Sequence, residues 1–456
     1  MRKTVSFVSF LCGLMLTANP ATPQATGGQE AVYKVLYLPP SLTSPGGNPT
    51  FMFEVQPGLF YVLSTRETNT FGPAIFGVTR AATSRQIYEL APSISAGTLV
   101  QATNGGLYGS AIQPSPPYQV LYSIDPSGKG LQQYSYPGQW GFGGPLIPAP
   151  GAMYQLVGQT QGNVTTAAFA RIDENGDLTF LHDFSGTDGF PNSKNWVIYG
   201  PDGNFYGVGN QEQNGISPGF IFRFTPAGVY SQLLNFPYFP PGGAALPLVA
   251  GSDGNLYGSF SKLGTNGTGE IYQATLSGQF HAVASFPATG MSEPRSLMQA
   301  ADGNIYGATN YNQVFRYNLA SHALTLVYQL APSSVQGKCQ CEIIEGMDGK
   351  LYGVTPNGGA TGLGVVFSLD LGLAKPLPIV SGLFPASGSA GQKVILWGNY
   401  LLGATSVTFN GAPAAQVVVT SVQSVLVAVP PGATTGPVTI TTANGSFTTA
   451  QDFTVE

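Results

Sequence analysis

The sequence predicts an all-β chain: a seven-bladed β-propeller of four-stranded blades closed by the N-terminal strand, followed by an immunoglobulin-like β-sandwich. Three observations predict it. First, Ser252-Asp253-Gly254-Asn255-Leu256-Tyr257-Gly258 recurs at 201–207, 301–307 and 347–353, with a softer copy at 103–109 and worn copies at 58–61 and 151–154. Its tyrosine falls at positions 61, 108, 154, 206, 257, 306 and 352, a near-constant period of the kind that marks a repeat architecture. Second, each period holds four short β-prone runs, as the blades of a propeller do. Third, beyond residue 378 the repeat stops, and alternating β-branched runs with frequent turns take over, the pattern of a sandwich.

Taken in order, the chain opens with Arg2 and Lys3 before an apolar run at 5–16, followed by small residues. That arrangement reads as a signal peptide, residues 1–25, with cleavage between Ala18 and Ala25. The run is too short to span a bilayer comfortably, and no later stretch is long and apolar enough. The propeller is assigned to residues 31–372. In its clearest unit, 248–251 and 255–259 form strands around an Asp-Gly turn, 270–274 a third strand and 281–286 a fourth. Asp and Gly both tolerate the positive φ of tight hairpins. The same order returns at 197–236 and 297–330. Many of these runs are apolar on both faces, as a sheet packed between two others requires. The seventh unit lacks a fourth strand, and 32–38 offers one, which would close the ring and hide its open edge. Two prolines in the linker 371–378 should hold the second domain, 378–456, at a semi-fixed angle.

An aromatic at one fixed place per unit is expected to pack between blades. The glycine after it is expected to let a neighbouring backbone approach closely.

The Asp-Gly-x-Leu-Tyr-Gly core, followed by a Gly-rich loop and a Gly-x-x-Phe strand, resembles the GloVer tandem-repeat family of exported bacterial proteins, over roughly residues 31–372. The tail, with Phe384-Pro385, Trp397-Gly398-Asn399, Phe409-Asn410-Gly411 and Pro430-Pro431-Gly432, resembles an IPT/TIG immunoglobulin-like module along its full length. The first resemblance implies export and repeat architecture, and no particular activity.

Charged residues make up 9% of the chain and the net charge is -5, where ordinary soluble proteins carry about 25% charged residues. With no basic block, the composition argues against nucleic acid as a partner. Three histidines, His182, His281 and His322, form no metal-binding pattern, and neither a nucleophile elbow nor a phosphate-cradling loop is present. Asp173-Glu174-Asn175-Gly176-Asp177 resembles the start of a calcium loop, but Leu178 and Phe184 stand where such a loop needs Gly and an acid, so a hairpin turn is expected. No cofactor and no metal are expected. Cys339 and Cys341 would share a strand face, leaving a strained local disulfide, a metal completed from outside, or free thiols open.

The turns between first and second strands, and between third and fourth, are short, while the other connections are long and variable. Insertions on one face mark a binding face. Trp140 and Phe142 in one long loop, and Tyr238 and Phe239 in another, suit stacking on sugars, while Lys194 and Arg295 stand just before first strands, where they would rim the channel. The expectation is a secreted or cell-surface, monomeric, non-enzymatic binding or scaffold protein whose loop face meets an extracellular glycan or protein. The alternative is an extracellular lyase or hydrolase acting on polysaccharide at the channel mouth.

Overall fold

The computed structural model describes residues 31–39, 47–65, 72–92, 94–112, 119–135, 140–141, 144–161, 164–184, 197–210, 219–236, 246–330 and 342–456. The signal segment, Cys339 and Cys341 lie outside them. Among the described residues, no helix is long and apolar enough to cross a membrane.

Among the described residues, seven antiparallel sheets of the repeat type follow one another. The fifth is typical, running Val249–Ala250, Leu256–Phe260, Glu270–Ala274 and Phe280–Ser285 in spatial order. Second strands such as Leu256–Phe260, Ile305–Thr309 and Leu351–Thr355 are buried throughout, because each lies between neighbouring blades. Fourth strands such as Ser84–Glu89 and Phe280–Ser285 are exposed to half-buried and form the outer rim. The seventh sheet is completed by Val32–Tyr37, paired antiparallel to Val365–Asp370 with Val35 opposite Phe367. Tyr33 stacks on Phe367 and on Tyr328 of the sixth blade.

The hydrophobic core is a chain of inter-blade clusters. Tyr61 packs with Leu107 and Tyr122, Tyr108 with Met153, Tyr154 with Phe205, Tyr206 with Leu256 and Tyr257 with Ile305. Tyr306 and Tyr352 share the last cluster with Phe60, and the Tyr352 and Phe60 rings lie 4.2 Å apart. Each repeat tyrosine therefore packs against the residue just before the next one, on the second strand of the following blade, and the seventh reaches the first.

A glycine follows five of the seven tyrosines; at Gly307 a Cβ would meet the Ser296 carbonyl at 2.3 Å, the close backbone approach expected, but at the others it would meet a ring first. Gly207, Gly258 and Gly353 pair directly with Phe222, Tyr272 and Phe367 on the third strand. A Cβ on these glycines would fall 2.3, 2.2 and 2.6 Å from those rings. The missing side chain makes room for an aromatic of the same blade. The variable connections include short ones: second and third strands are joined by only 310–312 in the sixth blade, and Gln161 pairs with Val164 in the third.

The C-terminal domain is a sandwich of two sheets. Ile379–Phe384, Lys393–Asn399, Ser424–Ala428 and Val417–Ser421 form one, and Gly445–Val455, Gly436–Thr442 and Ala404–Phe409 the body of the other. Val394, Leu396, Val407, Phe409, Val425 and Ile440 fill the space between.

Candidate functional site

The repeat motif builds one mouth of the propeller. In the Asp-Gly-Asn turns only the glycine takes positive φ, +80° at Gly254 and +81° at Gly303. The aspartate is instead an acceptor. Asp253 Oδ1 receives the Asn255 amide N–H at 3.1 Å, and Oδ2 receives the Tyr257 hydroxyl at 2.8 Å and Asn255 Nδ2 at 2.9 Å. The clamp repeats at Asp202–Tyr206 and Asp302–Tyr306, both with an asparagine, and at Asp348–Tyr352. Burial pushes the Asp202 and Asp253 carboxyls up, but the hydrogen bonds together outweigh it and hold both below the ordinary range. Asp253→Ala strands the Tyr257 hydroxyl and the Asn255 amide. It should lower the stability of unfolding by about 1–2 kcal/mol, measured by urea titration.

A second, inter-blade latch sits seven residues before three of the tyrosines. Gln299 Oε1 accepts the Ser252 N–H of the fifth blade at 2.7 Å, Glu345 Oε2 accepts Ala301 N–H of the sixth at 2.7 Å, and Glu54 Oε2 accepts Met347 N–H of the seventh at 2.8 Å. At the ring closure Glu54 also binds Arg80 at 2.7 Å, and Arg80 lies 3.2 Å from Asp348. The same position in the intervening blades holds Gln101, Ile147, Tyr199 and Ala250, which surround the cavity described below.

The C-terminal domain docks on this mouth. The Tyr400 hydroxyl donates to Glu345 at 2.5 Å, and Asn444 Nδ2 donates to the carbonyls of Met347 and Pro376 at 2.8 and 3.0 Å. Tyr199 of the fourth blade meets the Trp397 ring edge-on at 5.7 Å. The linker lies over the seventh blade, where a Cβ on Gly349 would stand 2.6 Å from the Ala374 carbonyl. The semi-fixed angle expected from two prolines is reinforced by these polar ties.

Two of the tie-points are buried carboxyls. Burial, above the opposing hydrogen bonds, raises both Glu54 and Glu345 above the ordinary carboxylate range. A raised acid favours the folded state in its protonated form. Its contribution is therefore present at low pH and lost as pH rises through the folded value. Thermal stability should rise as pH falls from neutrality toward the ordinary glutamate value of about 4.3. It should fall again in stronger acid, where the lowered Asp202, Asp253 and Asp370 carboxyls protonate. Glu345→Gln should flatten the first slope in a melting-temperature series.

Between the two domains lies a cavity of about 1250 Å³. On the propeller side it is walled by the first strands and the turns after them, including Phe53, Gln101, Ile147, Tyr199, Asp202 and Gln299. On the sandwich side it is walled by Phe384, Trp397, Asn399, Gln423, Gln451 and Asp452, among others. Burial pushes the Tyr199 hydroxyl up to about 12, so it stays a neutral donor and acceptor. Gln299 is fully engaged, with Nε2 donating to Ser252 Oγ and the Gly303 carbonyl. Gln101 donates to the Gly105 carbonyl at 3.2 Å, while its buried Oε1 receives no hydrogen bond from the described residues.

The site residues expected from sequence fall elsewhere. Phe142, Tyr238, Phe239 and Lys194 lie outside the described residues. Trp140 belongs to a two-residue strand, Trp140–Gly141, opposite Gln159 and Gly158, and not to a free loop. Arg295 lies within the strand Pro294–Gln299, not in the loop before it, and its Nε donates to Asn310 Oδ1 at 2.5 Å. Asp173 accepts the Asn175 and Asp177 amides, both at 2.9 Å, so the calcium-like segment is a hairpin turn. His182 stacks on Tyr230 at 5.0 Å, and His322 Nδ1 lies 2.7 Å from the Tyr317 hydroxyl. Both serve packing.

Comparison with known proteins fits this architecture. Residues 193–406 match the Gloeobacter/Verrucomicrobia repeat, and residues 378–455 match the IPT/TIG domain. No curated protein sequence matches the chain. Among solved structures, the chain is similar to a virginiamycin B lyase from Staphylococcus aureus at a TM-score of 0.51 and 16% identity, over 75% of this chain and 99% of that one. It is also similar to an oligogalacturonate lyase from Vibrio parahaemolyticus at a TM-score of 0.52 and 10% identity, over 76% and 95%. At such identities the likeness is one of fold.

Proposed function

We propose that this Gloeobacter/Verrucomicrobia repeat protein with a C-terminal IPT/TIG domain is an exported, non-enzymatic binding protein. Its ligand, an extracellular glycan or surface protein segment, is held on the propeller axis between the repeat turns and the C-terminal domain. One observation carries this reading: the cavity of about 1250 Å³ walled by both domains and lined with amide, hydroxyl and aromatic side chains. Pockets of this kind, concave and largely apolar with a few placed polar groups, are the usual form of a binding site. Export is supported by Arg2 and Lys3 ahead of the apolar run. Trp140 and Arg295, and with them Phe142, Tyr238, Phe239 and Lys194, which lie outside the described residues, are second contacts in this reading.

For a lyase or hydrolase, the cavity would have to supply an acid and a base. Asp202, the carboxylate on its propeller wall, already accepts from Tyr206 and Asn204, which suits a structural clamp better than proton transfer. The test is a screen of the mature protein against extracellular glycans and surface proteins, repeated with Asn399→Ala combined with Gln423→Ala. A ligand that binds the parent and is weakened at least tenfold by the pair, with no turnover, is the expected result. Turnover of a bound polysaccharide, or binding indifferent to the pair, would overturn the reading.

A further inference from the structure

We infer that the ligand of the inter-domain cavity is an uncharged, hydroxyl-rich oligosaccharide and not a uronate polymer; this rests on the binding reading above and narrows it. The charge of the wall is the first observation. Among the described lining residues the charged side chains are Asp202 and Asp452, both acidic, with no Lys, Arg or His. The same mouth carries Glu54, Glu345, Asp302 and Asp348 in the latches and clamps around it. The cation beside them, Arg80, is committed to Glu54 and Asp348. A chain bearing a carboxylate on every sugar would enter a field of its own sign in a partly desolvated space, where such repulsion is least screened. Anionic polymers are recognised by Arg and Lys, whose donors match carboxylates.

The second observation is the hydrogen-bonding character of the wall. Side-chain amides donate and accept through adjacent atoms, as sugar hydroxyls do. Asn399, Gln423 and Gln451 bring three such amides to the sandwich side of the cavity. Tyr199, Phe53 and Phe447 add apolar ring surface for the C–H faces of sugar rings.

The experiment is calorimetric titration of the mature two-domain protein. The probes are neutral hexaoses of glucose, xylose and mannose on one side, and oligogalacturonate and alginate oligomers on the other. Each is run at about 20 mM and about 500 mM NaCl, a range that removes long-range screening differences. A neutral hexaose should bind at least 100-fold more tightly than either uronate. Its affinity should be unchanged by salt, and Asn399→Ala with Gln423→Ala should weaken it at least tenfold without moving the melting temperature. Uronate binding as tight as or tighter than the neutral probe, and weakened by the same pair, would overturn this inference and leave the cavity reading standing. Binding of no oligosaccharide would overturn this inference and leave a surface-protein ligand for the cavity, whereas oligosaccharide binding that ignores the pair would overturn both.

Discussion

Removal of residues 31–38 should leave a protein that cannot be purified as a stable monomer. The segment contributes the outer strand of the seventh blade, and its loss uncovers the full length of Val365–Asp370. Leu36 and Tyr37 are buried, and Tyr33 is stacked between Phe367 and Tyr328. Burial of side chains of this size is worth about 1.5–3 kcal/mol each, so the total loss is on the order of 5 kcal/mol, comparable to the whole stability of many domains. The exposed edge adds a route to strand pairing with other chains. Size-exclusion chromatography and thermal melting report both effects. Val35→Pro, which removes a donor from the middle of the closing ladder, should lower stability in the same direction by a smaller amount. An unchanged melting temperature and monodisperse behaviour after the deletion would show that the ring does not depend on this strand.

The second large effect is expected at the repeat glycine. Gly258→Ala places a Cβ 2.2 Å from the Tyr272 hydroxyl oxygen and 2.3 Å from the ring carbon bearing it. Tyr272 cannot swing away, because it is fully buried with the Phe260 ring 4.6 Å and the Phe236 ring 5.3 Å from it. Overpacking in such a place costs about 1–3 kcal/mol or more. Tyr272→Val alone should also destabilise, by leaving a cavity. The two substitutions together should be less harmful than their sum, since each removes the fault the other creates. A double-mutant cycle by chemical denaturation reads this coupling directly. Strict additivity would mean that the glycine does not make room for the ring.

These cases also show what was legible in the sequence. The tyrosine and glycine of the repeat were visible because their residue types are nearly fixed, and the inter-blade packing of the tyrosine followed from that. The glycine's role against a backbone holds at Gly307, but its role in making room for a ring was not legible, since its partner, the aromatic on the third strand, is Tyr122, Phe222, Tyr272, Phe315 or Phe367, at varying distances along the chain. The latch seven residues before the tyrosine was missed altogether. There Glu54, Gln299 and Glu345 share a position with Ile147 and Ala250, so only alignment on the tyrosine exposes it. The hairpin joining Val417–Ser421 to Ser424–Ala428 was also missed, because its turn has no Gly or Pro. Hydrogen bonds among Thr420, Ser421 and Ser424 hold it instead. The cavity was beyond the reach of pattern reading. It exists because Tyr400, Asn444 and Trp397 meet Glu345, Met347 and Tyr199, and no local signal announces contacts between residues so far apart in the chain.

The claim on which the functional account rests is that the C-terminal domain is fixed over the turn mouth of the propeller. Its most direct test is a distance distribution between two spin labels, one at Lys393 on the sandwich and one at Lys129 on the second blade, both exposed, with Cys339 and Cys341 replaced by serine. A single narrow distribution, broadened when Tyr400→Phe and Asn444→Ala are introduced together, is the expected result. A broad distribution in the parent protein, unchanged by that pair, would mean that the domain tumbles on its linker and that the cavity is not a standing feature of the molecule.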